Sequence, residues 1–424
     1  MRTMKDSGIE WIGVMPKSWV LAPLKAMLIE IKEQNDPIQT TQVLSLTNQA
    51  KIFPYEERGN QGNKSKEKYE DYKIAYPNTI VLNSMNVLIG SVGICNYFGC
   101  VSPVYYVFNN SNNAILRYIN YIFQNVGFQK ELRKYANGIM EIRLRVSVYD
   151  ILHRLVPAPS LKEQQRIADF LDSKCVDIDN ILEKTKASIE EYKKLKQSVI
   201  TEAVTKGIRR ERPMKDSGST WFGKIPASWD ANKLKYTFTI RKRIVGEDGH
   251  TVLAITQKGV KPKDMSNGNG QFAESYANYQ IVNPGDFAMN HMDLLTGWVD
   301  ISKYEGVTSP DYRVFTLDDT TRNCPGYYLY MMQMCYSNRI FYSMGQGVSG
   351  MGRWRLPADM FNNFIIACPP VEEQQEIAEY LDKKCSEIDS LIASKEKFII
   401  ELESYKKSLI YEYVTGKKEV PSNA

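Results

Sequence analysis

Four arginines stand in two matched pairs. Arg143 and Arg145 occur in Ile142-Arg143-Leu144-Arg145, and Arg353 and Arg355 in Gly352-Arg353-Trp354-Arg355, 210 positions further on. In an extended segment, residues two apart project to the same side, so each pair would put two guanidinium groups on one face. A guanidinium donates two parallel hydrogen bonds, which suits a phosphate or the acceptor edge of guanine. The same arginines would serve equally as edge-strand charges or as ion-pair partners of a neighbouring helix. Asn83, Ser84, Asn290 and His291 fall at corresponding strand ends, where amide, hydroxyl and imidazole groups could meet base edges. Lys258 and Lys261 belong to the polar stretch Gln257–Lys263, whose companion in the first half is Lys51–Lys68. Either stretch could follow a DNA groove or be solvated surface.

Other chemistry is hard to find. The three histidines, His153, His250 and His291, show no metal-ligand spacing, and seven cysteines without a Cys-x-x-Cys pair fit neither a disulfide framework nor a zinc site. Gly345-Gln346-Gly347-Val348-Ser349-Gly350 fits Gly-x-Gly-x-x-Gly, which cradles a pyrophosphate only where it joins a strand to a helix. Here it precedes another glycine and an Arg-Trp-Arg run, and the first half has no equivalent. The sequence contains no phosphate loop of the Gly-x-x-x-x-Gly-Lys-Ser/Thr type and no Asn/Asp-Pro-Pro-Tyr/Phe run of an amino methyltransferase.

The elements that must position the arginines occur twice. MKDSGIEWIGVMPKSW at 4–19 returns as MKDSGSTWFGKIPASW at 214–229, and LKEQQRIADFLDSKC from Leu161 returns as VEEQQEIAEYLDKKC from Val371, both at the same offset of 210. Each of the latter opens a long amphipathic stretch free of proline and glycine, predicting helices over Leu161–Lys206 and Val371–Thr415. The apolar stripe reads Ile178, Ile181, Thr185, Ser188, Tyr192, Leu195, Val199 in the first and Ile388, Leu391, Lys395, Phe398, Leu402, Tyr405, Leu409 in the second. This is coiled-coil spacing. Such rods, roughly 65–70 Å long at 1.5 Å per residue, each need a partner, and the nearest one is the twin. Cys175 and Cys385 read as small apolar residues near their starts. Prolines at Val156-Pro157-Ala158-Pro159 and Cys368-Pro369-Pro370 stop the helices from extending backward.

Between leader and rod, the two halves diverge. Ile80–Leu82 and Tyr105–Phe108 read as strands, followed by helices over Ala114–Gln124 and Phe128–Tyr135, with a counterpart at Tyr327–Tyr342. The expected division is 1–157 for a first α+β recognition domain, 158–208 for a long helix, 209–367 for a second recognition domain, 368–416 for a second helix and 417–424 for a tail. One frame with divergent content suits two modules that read different things. A duplicated enzyme would more readily keep its active-site residues in both copies.

Hydrophobic content of 43% with 24% charged residues excludes a disordered chain. No apolar run approaches the ~20 residues that span a bilayer and the start has no signal region, so a cytoplasmic place without membrane contact is expected. A net charge of +5 allows a polyanionic partner without demanding one.

The repeated junction-and-helix signatures, Pro157-Ala158-Pro159 with Glu163-Gln164-Gln165-Arg166-Ile167-Ala168 and Pro369-Pro370 with Glu373-Gln374-Gln375-Glu376-Ile377-Ala378, together with the Trp-Pro-Trp leaders, resemble the DNA specificity subunit of type I restriction-modification systems. The resemblance covers essentially the whole chain, with Glu376 in place of a basic residue as a minor departure. It implies two pseudo-twofold related α+β target-recognition domains separated by two long helices forming an antiparallel coiled coil. Each domain would read one half of a bipartite double-stranded DNA site. Two modification subunits, carrying S-adenosylmethionine and methylating adenine, would dock on Gln164, Gln165, Ile167, Gln374, Gln375 and Ile377, and restriction-translocation subunits would join through them. This chain itself would bind no cofactor. A coiled-coil scaffold with protein-binding heads and a methyltransferase with an unfamiliar active site are the other classes in view.

Overall fold

The computed structural model describes residues 2–47, 50–58, 68–138, 144–209, 211–264, 273–348 and 353–421; at 348 and 353 it describes the backbone alone. The chain divides into two compact units, residues 1–186 with 396–424, and residues 187–395. The division cuts through both long helices, whereas the expected borders gave each helix a segment of its own. The reason is burial, because each end of each helix contributes side chains to the core of the unit beside it.

In the first unit a four-stranded antiparallel sheet runs in the order Leu28–Ile31, Tyr105–Asn110, Thr79–Asn83, Val92–Cys95. Every residue of Thr79–Asn83 is buried, and alternation along the strand divides its side chains between two cores. Ile80 and Leu82 join Phe108, Tyr118, Phe128 and Trp19, while Val81 joins Val107, Leu44 and Val101. The second unit repeats the order with Phe238–Arg241, Arg313–Leu317, Phe287–Met289 and Val299–Ile301.

Two helices follow the sheet in the first unit, Leu116–Gln124 and Val126–Arg133. The second begins two residues before the expected start because Asn125 caps it, its Oδ1 accepting from the backbone N–H of Gly127 and Phe128. The single segment expected at Tyr327–Tyr342 is also two helices, Pro325–Ser337 and Ile340–Ser343, interrupted at Arg339, whose φ is +56°.

The long helices span Leu161–Lys206 and Val371–Val414. Beyond them Gly207 and Gly416 take the left-handed conformation, with φ of +79° and +72°, as is usual past a helix end. A Cβ on Gly416 would meet Pro16 at 2.5 Å. Each start is anchored by a glutamate. Glu163 accepts from the Trp19 indole at 2.9 Å and pairs with Arg2, and Glu373 accepts from the Trp229 indole at 2.8 Å and pairs with Arg212. Three residues further, Arg166 donates to the carbonyl of Val420, whereas Glu376 pairs with Arg209. The departure at Glu376 thus keeps a tether to the segment alongside while reversing its charge.

Within each unit the two helices run antiparallel. In the first, the rings of Phe170 and Tyr413 lie 4.6 Å apart and Asp179 meets Lys406 at 2.6 Å; in the second, Lys196 meets Asp389 at 2.7 Å and Lys395 lies over Tyr192. The buried stripe differs from the expected one in alternate positions. Ile178, Thr185, Tyr192 and Val199 lie in it as expected, but Leu182, Ile189 and Lys196 take the places given to Ile181, Ser188 and Leu195. The second helix shows the same shift, with Ile392, Ile399 and Lys406 in place of Leu391, Phe398 and Tyr405. Leu182 is 8% exposed and its neighbour Ile181 43%. Spacings of three then four and of four then three both fit a heptad, and the facing helix decides between them. Among the described residues no helix is long and apolar enough to cross a membrane.

Candidate nucleic-acid interface

Both units build the arginine-bearing segment in the same way. In the first, Arg145–Val146 pairs with Ala136–Asn137, and the Val146 N–H donates to the carbonyl of Ser84 at 3.2 Å, tying the segment to the end of the Thr79–Asn83 strand. In the second, Arg353–Arg355 pairs with Gln346–Val348, and the Leu356 N–H donates to the carbonyl of His291 at 3.0 Å, just past the end of Phe287–Met289. The strand ends and arginines selected by spacing are therefore brought together in both units. Arg145 and Arg355 are exposed. Arg143 lies outside the described residues, as does the side chain of Arg353.

The strand-end side chains do not all face outward as expected. Asn83 and Ser84 are buried and engaged locally, Asn83 Oδ1 accepting from the Met85 N–H at 3.1 Å and the Ser84 hydroxyl donating to the Val104 carbonyl at 2.7 Å. They shape the turn rather than present free groups to a base. Asn290 Oδ1 accepts from the Met292 N–H at 3.2 Å in the same manner, and Tyr336 donates to the Asn290 carbonyl at 2.7 Å. His291 is half-buried, and burial, reinforced by the nearby charges of Arg313 and Arg355, pushes its pKa down to about 3. The ring is therefore neutral at ordinary pH, with a buried Nδ1 that makes no hydrogen bond among the described residues.

Lys258 and Lys261 are exposed on the hairpin formed by Leu253–Thr256 and Gly259–Pro262. Its turn touches the loop after His291, where Gln257 donates to the Thr296 carbonyl at 3.4 Å. The polar stretch Gln257–Lys263 is thus largely regular hairpin; half of its companion, residues 59–67, lies outside the description. Within the glycine run, Gln346–Val348 is a strand paired with the arginine segment, not a turn from strand to helix.

Sequence reasoning missed Arg313. It stands on the sheet strand beside Met289, 6% exposed, its Nη2 donating to the Leu356 carbonyl at 2.9 Å and its guanidinium carbon 4.7 Å from the Phe361 ring centre. Burial pushes its pKa down to about 10. In the first unit Tyr106 takes this place, its hydroxyl donating to the Val146 carbonyl at 3.4 Å. The signal was available, since Tyr106 and Arg313 follow Ser102-Pro103 and Ser309-Pro310 at the same distance.

Of the six residues assigned to partner contact, four face inward. Gln164 accepts from the Ile115 N–H at 3.0 Å and donates to the Pro159 carbonyl at 3.0 Å; Gln374 does the same with Cys324 at 2.7 Å and Pro369 at 2.8 Å. Ile167 and Ile377 lie in the cores. These positions share the helix face that packs on the unit, so only half-buried Gln165 and exposed Gln375 reach the surface. The residues displaced from the seam are exposed instead. Except for half-buried Ser188, they are Ile181, Phe398 and Tyr405 on the first unit, and Leu195 and Leu391 on the second.

Comparison with known proteins gives this architecture relatives. The pattern of the type I restriction modification DNA specificity domain matches the chain twice, over residues 28–191 and 254–404. The type I restriction enzyme MjaVIII specificity subunit of Methanocaldococcus jannaschii is 25% identical over 281 residues, covering 62% of this chain and 62% of that protein. In fold, the chain is similar to the HsdS subunit from Thermoanaerobacter tengcongensis, with a TM-score of 0.52, 13% identity, and 95% of this chain and 98% of that one covered. A chain solved in work on complex assembly and conformational transition of the type I R-M system gives a TM-score of 0.70 at 12% identity, with 95% and 99% covered.

Proposed function

The chain belongs to the family of type I restriction modification DNA specificity domains, and from that membership we propose that each of its two units reads one half of a bipartite double-stranded DNA site. It is a DNA sequence-specificity subunit, a recognition component and not a catalytic one. The observation that carries the two-part reading is the shared tie between strand end and arginine segment, Val146 to Ser84 and Leu356 to His291, kept in units whose surfaces otherwise differ. Exposed Arg145 and Arg355 then make the base or phosphate contacts, with Lys258 and Lys261 following the backbone.

Two modification subunits dock along the long helices in this reading, against the exposed residues Ile181, Leu195, Leu391, Phe398 and Tyr405, and carry S-adenosylmethionine for adenine methylation. Restriction-translocation subunits join through them, and the assembly acts in the cytoplasm, where the DNA is. The test is DNA binding by the assembled complex, once methylated adenines in the host genome have defined both half-sites. Arg145→Ala and Arg355→Ala should each cost about 1–3 kcal/mol and each relax a different half-site. Equal discrimination of matched and mismatched half-sites by both variants and the wild type would remove these arginines from the readout, and S-adenosylmethionine binding by the isolated chain would favour a methyltransferase.

A further inference from the structure

Arg313 and Tyr106 perform one mechanical task with different charge. Each stands on the sheet strand next to Phe287–Met289 or Thr79–Asn83, and each donates to the carbonyl of the residue that follows the exposed arginine, Arg313 to Leu356 and Tyr106 to Val146. This bond and the backbone bond to the strand end hold that residue from both sides. The tyrosine itself does it neutrally, with the first unit's nearby cation, Lys73, 5.0 Å from its ring centre and bonded to the Tyr105 carbonyl instead. The arginine brings a cation into a site where it makes no ion pair with a described carboxylate and one guanidinium nitrogen, Nη1, has no hydrogen-bond partner. The nearby carboxylate of Asp293 is turned into its own loop, accepting from the N–H groups of Leu295 and Thr296. A buried cation without a counter-ion is costly, and a neutral donor such as a tyrosine hydroxyl would pin the segment more cheaply.

We propose that Arg313 is a positioning residue of the second recognition unit whose charge, without an ion pair among the described residues and held against the arginine segment, adds an electrostatic attraction for the DNA polyanion that Tyr106 does not supply at the same place in the first unit. The inference rests on the reading of the arginine segments as the DNA interface. The charge acts through the field, since the buried guanidinium need not touch a phosphate, and it costs little to reorganise because Phe361 and the Leu356 carbonyl already hold it.

The test compares Arg313→Tyr, Arg313→Lys and Arg313→Met in the full chain assembled with its modification subunits, measuring affinity for DNA with both half-sites across a range of salt. Arg313→Tyr imports the first unit's neutral donor alone. It should keep the second half-site sequence while weakening binding about three- to ten-fold at low salt, with the loss shrinking as salt rises. Arg313→Lys should restore most of the affinity, and Arg313→Met should match or exceed the tyrosine loss. Wild-type affinity and salt dependence for a folded Arg313→Tyr or Arg313→Met would overturn the proposal, as would a loss that Arg313→Lys does not recover and that is independent of salt. Arg355→Ala separates the two readings. If it weakens binding while Arg313→Tyr does not, only this inference fails; if neither does, the interface itself is elsewhere.

Discussion

Lys406 occupies a position in the buried stripe of its helix and holds Asp179 of the facing helix, Nζ to Oδ1 at 2.6 Å. Its counterpart 210 residues earlier, Lys196, holds Asp389 at 2.7 Å. A lysine in an apolar seam lowers stability and in exchange fixes register, because any slip of the helices leaves its charge among apolar side chains. The pairing explains why both helices keep a polar residue where a heptad asks for leucine.

Replacing Lys406 with Leu should therefore raise the unfolding midpoint of the chain, by about 0.5–2 kcal/mol in stability. A double-mutant cycle with Asp179→Ala should give a coupling below about 1 kcal/mol, as both side chains are partly exposed. A lower midpoint in Lys406→Leu, by urea denaturation, would show that the pair stabilises the seam rather than only setting its register.

Docking of the modification subunits separates two sets of residues. Leu391→Ser and Phe398→Ser should leave stability nearly unchanged, the native side chains being 46% and 44% exposed, and should weaken assembly by about 1–3 kcal/mol each if a partner covers them. Ile167→Ala and Ile377→Ala should do the reverse, costing about 2–5 kcal/mol of fold stability from positions inside the cores. Native mass spectrometry near the dissociation constant reads assembly and thermal unfolding reads stability; normal assembly of the serine variants would place the docking surface elsewhere.

Half-site spacing gives a third prediction. Residues added between Val204 and Thr205 would enter a core, since both side chains are buried and the Val204 carbonyl accepts from Tyr327 at 3.1 Å. A lengthened rod therefore needs one heptad in each helix, after Lys186 and after Lys395, each adding ~10 Å. If the rods measure the spacer, methylated-adenine mapping should show it longer by about one to three base pairs, with both half-site sequences unchanged. An unchanged spacer in an active complex would mean that something else measures the distance.

His291 predicts a pH dependence. Its folded pKa, about 3, is depressed below its ordinary value of 6.5, so the unfolded chain binds the extra proton between these limits. Its contribution to stability is complete above pH 6.5 and is lost as pH falls toward 3, by up to about 1.4 kcal/mol per unit. His291→Asn should flatten that part of the curve relative to wild type. Parallel curves from pH 7 to pH 4, by thermal unfolding, would show that the ring is free to take a proton in the folded chain.

The sequence by itself determined the repeated frame. The first long helix is found with the limits read from its periodicity, and the second ends one residue short of them, because an amphipathic pattern bounded by proline and glycine is local information. The strands at Thr79–Asn83 and Tyr105–Asn110 were legible for the same reason, two copies of one pattern pointing to one arrangement. Tertiary structure alone decided which side of each pattern is inside. Ile181 and Leu182 are both apolar and both compatible with a heptad, and only the position of the facing helix buries the second. Gln164 and Gln374 look like surface groups until the backbone N–H of Ile115 and Cys324, about 50 residues away, arrives to take them up. Arg313 is one arginine among many until the fold brings it the carbonyl of Leu356 from 43 residues downstream, leaving its charge buried without a carboxylate among the described residues.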